Sequence, residues 1–587
     1  MFSLFKKLNK KDYLLILFSV ILIVLQVFLD LKIPDYMAEI TRLVETEGSL
    51  LKDVLINGGY MLLCALGSLV FAVIVGYISS LIASDFSRNI RKELYEKVIN
   101  FSTGEIRKFK TGSLITRATN DVTNVEMYIA MGMQLMIKSP IMAFCAVGKI
   151  LNKGWQWSLL TFIAVVLIML TISLLMMIVL PKFKIVQKLI DNITEQTREN
   201  INGIRVVRAF NAEKYQEDKF DKTNTKLANL QTFNQRTMSI MMPFVSMIMY
   251  GLTLSIYFVG ALLIDKAMMS EKLTLFGNMI VFSSYAMQVI MSFVMLVMIF
   301  VMYPRASISA KRINEVLSEK ETIHNGSLIK NPNKEKGTIE FKNVSFKYPD
   351  AMEPMLKDIS FKVTEGETLA IVGLTGCGKT TLIQLIPRLF DATEGEVLIN
   401  GVNVKEYDLD YLHNLIGYVP QKAVMFNGTV KDNVAYGESS KRKTNEKIKE
   451  AIEVAQADDF VSKMDKGVDS HIAQGGTNIS GGQKQRLAIA RAIAKDPEIY
   501  IFDDSFSALD FKTDFTLRKE LKKYTGNATN IIVAQRIGTV MHADKIIVLD
   551  KGVQVGTGTH EELLKTCKEY KEIALSQITE EELSNEK

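Results

Sequence analysis

The chain has 587 residues, of which 48% are hydrophobic and 23% are charged, and its formal net charge is +6. This apolar content excludes an intrinsically disordered chain, and four scattered cysteines without metal-ligand spacing exclude a disulfide scaffold or a zinc module. The positive charge does not indicate nucleic-acid binding, because the basic residues of the first half lie between apolar runs instead of forming one basic face.

The composition changes near residue 310. Of the 29 methionines, 24 lie at or before Met302, whereas all five histidines lie after it. At about 150 residues per domain, the length allows three or four ordinary domains or fewer large ones. The sequence therefore predicts two chemically different halves, the first apolar and the second polar.

The first half contains five apolar runs of about 20 residues, the length that crosses a bilayer as a helix. They occupy residues 13–29, 58–83, 159–180, 240–264 and 275–302, and none of them contains a charged residue. A sixth, weaker run at residues 129–151 is interrupted by Lys138 and Pro140. The sequence therefore predicts six membrane-spanning helices, which places both termini on the same side.

The lysines and arginines between these runs orient the first half. One side carries 23 of them and the other side carries 7. Because basic connections remain in the cytoplasm, the termini and the two long connections, residues 84–128 and 181–240, are predicted to be cytoplasmic. These connections keep helical apolar spacing, so the helices should extend far beyond the membrane. Two short segments, residues 112–121 and 203–214, could lie across the ends of these extensions.

Two features of the apolar half have alternative interpretations. Lys138 lies within a span, where an ionisable group is by default a functional hypothesis, but it could also extend its ammonium group to the cytoplasmic interface. Methionines at helical spacing, such as Met287, Met291 and Met295, are usually packing residues, although methionine suits a surface that adapts to several apolar ligands. The five clear runs contain no acidic residue, which argues against a cavity for a metal or a polycation.

From Gly337 onward, short β-rich segments alternate with glycine-containing turns. Residues 367–381, ETLAIVGLTGCGKTT, place an apolar strand before G-x4-G-K-T and an apolar helix after it, the context that a P-loop requires. The nucleotide-binding residues predicted here are Gly373, Leu374, Thr375, Gly376, Cys377, Gly378, Lys379, Thr380 and Thr381. Backbone N–H groups would bind phosphates, Lys379 would reach the β- and γ-phosphates, and Thr380 would ligate magnesium. Cys377 occupies a variable loop position without a catalytic role.

Two further motifs follow the P-loop. The strand at residues 498–502 delivers Asp503 and Asp504 at its carboxyl end, where open α/β sheets bind ligands and where a carboxylate can hold magnesium through water. Residues 478–486, NISGGQKQR, open an apolar helix. Its first turn offers free N–H groups and therefore a second anion site. One mononucleotide cannot use both anion sites if they lie far apart.

Together, the P-loop, SGGQ, the Asp-ended strand and Ser507-Ala508-Leu509-Asp510 resemble the nucleotide-binding domain of ATP-binding cassette (ABC) transporters. Six spans with two long cytoplasmic connections resemble the exporter type of that superfamily, so the resemblance covers nearly the whole chain. It implies an α-helical six-span membrane domain plus a cytosolic α/β P-loop nucleotide-binding domain, with ATP and Mg²⁺ as cofactors. It also implies that two nucleotide domains meet head to tail, each ATP lying between one P-loop and the other domain's SGGQ.

The resemblance implies a domain organisation. We predict a cytoplasmic N-terminal segment (residues 1–12), a transmembrane domain with six helices and two coupling helices (13–310) and a linker (311–336). An ABC nucleotide-binding domain (337–575) and an acidic tail (576–587) follow. The segments at 112–121 and 209–214 resemble the coupling helices that dock on nucleotide domains.

The resemblance also assigns roles to residues outside the P-loop. Tyr348 resembles the aromatic residue that stacks on adenine, and Gln421 resembles the glutamine that touches magnesium. The predicted metal-binding residues are thus Thr380, Gln421 and Asp503. Ser480, Gly481, Gly482 and Gln483 form the signature that serves the partner's ATP, and Ser507, Ala508, Leu509 and Asp510 resemble the loop that crosses to the other site.

Two positions depart from the family's pattern. The family normally places a glutamate directly after the Asp503 equivalent, where it polarises the attacking water, but this chain has Asp504, which is one methylene shorter. A general base must come within hydrogen-bond reach of its water, so Asp504 should lose much of the rate while ATP and magnesium still bind. The family's γ-phosphate-sensing histidine is replaced by Gln535, which brings no positive charge.

These departures favour one half of a heterodimeric ABC exporter that expels amphipathic or lipophilic compounds. Its own ATP site would bind but hydrolyse poorly, while its SGGQ loop would complete the site of a partner that keeps the glutamate and the histidine. This asymmetry resembles heterodimeric bacterial multidrug-type exporters, in which one half carries an Asp and a Gln at these places. The expected partners are that second half, the lipid bilayer and a small amphipathic substrate, with no nucleic acid.

The sequence leaves two alternatives open. The chain could be a homodimeric exporter in which Asp504 acts as a slow base, or a non-hydrolysing regulatory or channel-like subunit. All three hypotheses place it in the cell membrane as a multi-pass protein, with its termini and nucleotide-binding domain in the cytoplasm.

Overall fold

The computed structural model describes residues 2–46, 50–151, 154–437 and 444–577. The predicted acidic tail lies outside the described residues from position 578 onward. The chain divides into two compact units, residues 1–98 with 112–319 and residues 99–111 with 320–587. The first unit contains most of the predicted transmembrane domain and the second contains the predicted nucleotide-binding domain, but residues 99–111 join the second unit and residues 311–319 of the predicted linker join the first.

The membrane unit is built from helices. They are α1 (Phe2–Phe5), α2 (Lys10–Glu45), α3 (Leu51–Ile99), α5 (Thr111–Thr116), α6 (Val122–Leu151), α7 (Trp155–Asn202), α8 (Ile204–Ala209), α9 (Glu213–Ser239), α10 (Met241–Lys266) and α11 (Met269–Leu317). A π-helical turn, Arg117–Asp121, joins α5 to α6. Helix α11 continues to Leu317, so the first seven residues of the predicted linker are helical.

Six helical stretches of the described chain are long and apolar enough to cross a membrane, as the sequence predicted. They are Lys10–Val44, Leu51–Ile99, Thr111–Leu151, Trp155–Asn202, Glu213–Lys266 and Glu271–Leu317. Helix α3 has 49 residues, and at about 1.5 Å per residue it is more than twice as long as a hydrocarbon core of about 30 Å. Helix α6 runs unbroken through Pro140, which membrane helices tolerate because their neighbours satisfy the freed backbone groups.

The lysine within the sixth run has a partner that the sequence did not reveal. Lys138 Nζ lies 3.1 Å from Asp30 Oδ2, and the two side chains are 21% and 19% exposed. Asp35 pairs with Lys149 at 2.8 Å and accepts a hydrogen bond from Tyr285. Helix α2 therefore carries two acidic residues just beyond the apolar run that the sequence marked. Lys138 is paired within the helix bundle, a different outcome from extension to the cytoplasmic interface.

The nucleotide unit is built around a ten-stranded sheet. Its strands, in chain order, are β1 (Ile339–Phe346), β2 (Leu356–Val363), β3 (Thr368–Gly373), β4 (Glu394–Ile399), β5 (Val402–Asn403), β6 (Ile416–Val419), β9 (Ile499–Asp503), β10 (Thr529–Val533), β11 (Lys545–Asp550) and β12 (Val553–Gly558). A separate two-stranded sheet pairs β7 (Gly428–Thr429) with β8 (His471–Ile472). The large sheet has the order β5-β4-β1-β2-β12-β11-β3-β10-β9-β6.

The second half of this order positions the functional residues. Strands β11, β3, β10, β9 and β6 pair in parallel, and residues 499–503 of β9 are all buried. Parallel strands are covered on both faces and read as continuous apolar runs, which explains why the sequence shows segments such as IYIF. Because the strands are parallel, their carboxyl ends meet at one edge of the sheet.

Helices surround the sheet and form a second hydrophobic cluster beside it. They are α4 (Thr103–Phe109), α12 (Lys379–Gln384), α13 (Leu409–Leu415), α14 (Val430–Val434), α15 (Asn445–Val454), α16 (Asp458–Val461), α17 (Gly481–Ile493), α18 (Phe511–Tyr524), α19 (Ile537–Val540), α20 (His560–Thr566) and α21 (Lys568–Leu575). Helix α12 packs in the cluster that contains Leu382 and Ile383, whereas α17 packs in the one that contains Leu487 and Ile489. The two predicted anion-binding helix starts thus belong to different hydrophobic clusters of one unit.

Candidate nucleotide site

The carboxyl ends of four parallel strands bring the predicted site residues together. Strand β3 leads into the P-loop, and β9 ends at Asp503. Gln421 follows β6 by two residues, and Gln535 follows β10 by two residues. The sheet therefore brings four segments of the sequence, separated by up to 160 residues, to the same edge.

The P-loop takes its shape from glycines whose conformation other residues rarely adopt. Gly378 has a φ of +104°, and a Cβ built there would lie 2.8 Å from Leu356 Cδ2. A Cβ on Gly373 would lie 2.3 Å from the carbonyl oxygen of Leu549. The loop can therefore approach its neighbours this closely only with glycine at these positions.

Lys379 lies inside this loop and is 8% exposed. Its Nζ donates to the carbonyl oxygens of Gly373 at 2.7 Å and Leu374 at 2.9 Å. Cys377 is buried, and its Sγ lies 3.8 Å from the same Nζ. Helix α12 begins after Gly378 without a side-chain cap, so its first N–H groups remain available for phosphate oxygens.

Two of the three predicted magnesium residues, Thr380 and Asp503, are in contact, whereas the third, Gln421, donates to Asp504 instead. Thr380 Oγ1 donates to Asp503 Oδ1 at 3.0 Å, and the Tyr418 hydroxyl lies 3.4 Å from Asp503 Oδ2. Hydroxyl and carboxylate oxygens are the ligands that Mg²⁺ prefers. The described residues contain no group of three or more His, Cys, Asp or Glu residues that could hold a metal.

Burial raises the pKa of Asp503, which is 2% exposed. Hydrogen bonds from Thr380 and Tyr418 and the positive charge of Lys379 oppose that rise, whereas the charge of Asp504 adds to it. The carboxylate therefore lies where a cation would lower its energy.

Asp504 is held by two glutamines, Gln421, which was predicted to touch magnesium, and Gln535, which was predicted to lie near the γ-phosphate. Its Oδ2 accepts from Gln421 Nε2 at 3.3 Å and from Gln535 Nε2 at 3.1 Å. Burial raises the pKa of Asp504, and the neighbouring amides and cations only partly offset that rise. The backbone at Asp504 has a φ of +46°, and its N–H donates to Val533 O at 2.9 Å. The two departures from the family pattern are therefore in direct contact.

The SGGQ segment begins helix α17 as predicted. Ser480 is the N-cap, and Ser480 and Gln483 cap each other's backbone N–H groups. A Cβ on Gly481 would meet no atom within 4 Å, whereas one on Gly482 would lie 3.2 Å from the carbonyl oxygen of Ala508. Gly481 therefore lies on an open surface of this chain, and Gly482 lies against the predicted crossing loop.

The crossing loop at residues 507–510 connects this region to Asp504. The Ser507 hydroxyl donates to the Asp504 carbonyl oxygen at 2.9 Å, and Leu509 is buried. Asp510 is the N-cap of α18 and accepts from Thr513 N at 3.0 Å. The loop is therefore anchored at both ends.

Tyr348 lies beside the P-loop helix. Its hydroxyl is 2.9 Å from Thr381 Oγ1. Phe346 and Phe390 contact its ring edge to face, with ring centroids 4.8 and 5.4 Å away. The Tyr348 ring therefore lies next to the helix that follows the phosphate-binding loop, and its stacking on adenine stays a prediction.

The structure differs from the prediction for the first of the two segments that resemble coupling helices. Residues 112–121 form α5 and the π-helical turn and lead directly into α6. The separate short helix is instead α4. It begins at the capping box formed by Ser102 and Glu105 and ends at Lys110, which has a φ of +59°. The chain therefore breaks at Lys110, and α4 belongs to the nucleotide unit. The second predicted segment contains α8, whose residues are not buried.

Sequence reasoning missed Tyr418 as a site residue. It lies on β6, three residues before Gln421, where parallel pairing with β9 brings it beside Asp503. Burial and the charge of Asp503 raise the pKa of Tyr418, so its hydroxyl remains a proton donor. The pairing of β6 with β9 that makes it a neighbour of Asp503 is a property of the fold, and the sequence carries no signal for it.

Two family models match this chain. Residues 16–318 match the ABC transporter transmembrane region, and residues 356–507 match the ABC transporter model. The first match alone covers more than half of the sequence, so the chain belongs to the ABC transporter family. It is a multi-pass membrane protein with a cytosolic nucleotide-binding domain.

Several curated proteins are similar over most of their length. An uncharacterised ABC transporter ATP-binding protein of Mycobacterium tuberculosis is 40% identical over 524 residues, which cover 88% of this chain and 87% of the relative. An ATP-dependent lipid A-core flippase of Syntrophus aciditrophicus is 30% identical, with 88% and 84% covered. A probable multidrug resistance ABC transporter ATP-binding/permease protein of Bacillus subtilis is 31% identical, with 82% and 81% covered.

A solved structure of a bacterial Atm1-family ABC exporter with ATP bound has a similar fold. Its TM-score is 0.80, and the alignment covers 96% of this chain and 99% of the other at 22% identity. At this identity the likeness concerns the fold, which is that of an ABC exporter.

Proposed function

We propose that this chain is one half of a heterodimeric ABC exporter whose own ATP site binds nucleotide and hydrolyses it slowly. The observation that carries the proposal is the contact of Asp504 with both Gln421 and Gln535 through one carboxylate oxygen. A general base has to reach its water. Here the side chain is one methylene shorter than glutamate, and its Oδ2 already accepts hydrogen bonds from two neighbouring amides.

The backbone does not compensate for the short side chain. Asp504 N is tied to Val533 O, and Asp503 ends the buried strand β9. Moving the Asp504 carboxylate outward by the length of a methylene group would break this hydrogen bond and shift a buried strand. Reach should therefore limit hydrolysis at this site.

A homodimeric exporter with Asp504 as a slow base is the second candidate. The observation that favours it is the raised pKa of Asp504, because a base with a pKa nearer to neutrality accepts a proton more readily. Basicity and reach thus act in opposite directions. The heterodimer is preferred because Gln535 also lacks the positive charge that a histidine could bring to the γ-phosphate.

The second part of the proposal concerns the SGGQ segment. Ser480 and Gln483 cap each other within the chain, and the space around the Gly481 Cα is open. We propose that this surface completes the ATP site of a partner that keeps the catalytic glutamate and the switch histidine. The non-hydrolysing regulatory subunit remains the outcome in which no combination of chains turns over ATP.

We propose amphipathic or lipophilic compounds as the transported substrates. Relatives named as a lipid A-core flippase and a probable multidrug resistance transporter support this class. The two acids that follow the first apolar run, Asp30 and Asp35, are paired with lysines, so they do not by themselves favour a metal or a polycation.

The experiment is to measure ATP turnover of the purified chain alone and with a second ABC half that is encoded beside it. Turnover only with the partner supports the heterodimer, turnover of the chain alone supports the homodimer, and turnover in neither supports the regulatory subunit. In the complex, Gly481→Leu should reduce turnover to about a tenth or less, a loss of at least about 1.4 kcal/mol in transition-state stabilisation. The corresponding substitution in the partner's loop is the matched control and should have a much smaller effect.

A further inference from the structure

Helix α4 is fixed within the nucleotide unit by a buried carboxylate. Glu105 is 4% exposed, and its Oε1 accepts from Thr322 N at 3.0 Å and from Thr322 Oγ1 at 2.6 Å. Burial alone would raise the pKa of Glu105, but hydrogen bonds from Ser102 and Thr322 outweigh it and hold the pKa below its ordinary value. The short helix therefore has a defined position in this unit.

This position places Arg107 against the aromatic residues beside the P-loop. Its guanidinium carbon lies 5.1 Å from the centroid of the Tyr348 ring and 5.8 Å from that of Phe390. Both distances fall within the range of about 6 Å over which a cation is attracted to an aromatic face. Arg107 and its neighbour Lys108 are both exposed residues of the same helix. Of these two adjacent basic residues, Arg107 is therefore the one that contacts the Tyr348 ring.

Tyr348 is only partly buried, and Arg107 adds a contact over the face of its ring. Its hydroxyl is held near Thr381 Oγ1, and its ring makes T-shaped contacts with Phe346 and Phe390. The chain after it is exposed, with Met352 at 96%. An unsupported side chain would have to be ordered when a ligand binds, which weakens binding.

We propose that Arg107 is a positioning residue of the nucleotide site, which holds the Tyr348 ring in the orientation that stacks on the adenine base. This inference rests on the proposed role of Tyr348 in ATP binding. Arg107 acts on the base and not on the phosphates, since its contact is with the aromatic ring. Its removal should therefore affect ligands that carry a base and spare inorganic tripolyphosphate.

The experiment measures dissociation constants of the full-length chain for ATP and for inorganic tripolyphosphate. Arg107→Ala should weaken ATP binding about two- to fivefold and leave tripolyphosphate binding unchanged. Arg107→Lys should restore part of the loss. Lys108→Ala is the matched control, because it removes the same charge from the same helix, and it should change neither constant.

A double-mutant cycle tests whether Arg107 acts through Tyr348. Arg107→Ala combined with Tyr348→Ala should bind ATP no more weakly than Tyr348→Ala alone. Additive losses, an equal loss for tripolyphosphate or no loss in Arg107→Ala would overturn the inference. If Tyr348→Ala itself left ATP binding unchanged, the stacking role of Tyr348 would have failed, a result distinct from failure of Arg107 alone.

Discussion

The two units each contain a largely buried lysine, and the two lysines have opposite surroundings. In the membrane unit, Lys138 faces the carboxylate of Asp30 at 3.1 Å. In the nucleotide unit, Lys379 donates to the neutral carbonyl oxygens of Gly373 and Leu374. The first charge is paired directly with a carboxylate, whereas the second donates hydrogen bonds to neutral acceptors and acts on Asp503 and Asp504 only from a distance.

This difference separates a structural cation from a ligand-binding one. A buried pair that loses one member leaves an uncompensated charge, so it is costly to break. A lysine surrounded by carbonyl oxygens loses only neutral partners when a phosphate replaces them. The structure therefore gives Lys138 an interhelical contact in place of the functional role that its position within a span suggested. It supports the prediction that Lys379 binds phosphate.

The largest effect is expected from Lys379→Ala. Hydrogen bonds to charged groups contribute about 1.5–3 kcal/mol, so ATP affinity should fall about 10- to 100-fold. Lys495→Ala is the matched control, because Lys495 also donates to two carbonyl oxygens, those of His413 and Ile416. Nucleotide titration should show a loss of ATP affinity only for Lys379→Ala. Equal losses in the two variants would show that these lysines affect ATP binding by stabilising the folded unit.

A smaller effect, on stability, is expected from Lys138→Met. It leaves Asp30 without its lysine partner in the membrane unit, so the full-length chain in detergent should lose about 2 kcal/mol of stability. Asp30→Asn combined with Lys138→Met should recover most of that loss. Thermal unfolding measures the stability of both variants. A double variant as unstable as Lys138→Met would show that the loss of stability does not come from breaking the Lys138–Asp30 pair.

The third prediction concerns the pH dependence of Asp504. The pKa of Asp504 in the folded chain is above its ordinary value of 3.8. At a pH between the ordinary pKa and the raised one, the folded chain therefore binds more protons than the unfolded chain. Stability must then fall as the pH rises through the folded-state pKa. Asp504→Asn, which keeps an oxygen acceptor and tolerates a positive φ, should therefore stabilise the apo chain above that pKa.

At pH 8 the melting temperature of Asp504→Asn should therefore be higher than that of the original chain. The difference from the original chain should shrink as the pH falls toward 4. A lower melting temperature for Asp504→Asn at pH 8 would mean that the carboxylate is net stabilising in the folded state.

The smallest effect is expected from Tyr348→Phe. The ring remains, but its hydroxyl no longer bonds to Thr381 on the helix that carries Lys379. A neutral hydrogen bond contributes about 0.5–1.5 kcal/mol, and the retained stacking should limit the loss of ATP affinity to about threefold. Tyr411→Phe, which removes a hydroxyl that accepts from Asn331 N, is the control and should leave ATP binding unchanged.

Local patterns in the sequence determine much of this protein by themselves. The six spans follow from uninterrupted apolar runs, because a helix in lipid needs no distant partner to satisfy its backbone. The P-loop follows from glycines and a lysine at fixed spacing within one strand–loop–helix unit. The family membership and the orientation of the membrane half rest on such short-range signals, and the comparisons and the six long helices confirm them.

Contacts between distant segments were decided only by the tertiary structure. Pairing of β6 with β9 brings Tyr418 to Asp503, and the edge of the sheet joins Asp504 to Gln535, yet no spacing in the sequence encodes these neighbours. The pairing of Lys138 with Asp30 and the approach of Arg107 to Tyr348 join segments more than 100 residues apart. Sequence patterns report which face of an element is buried, whereas partner choice depends on how whole elements pack, which no single segment specifies.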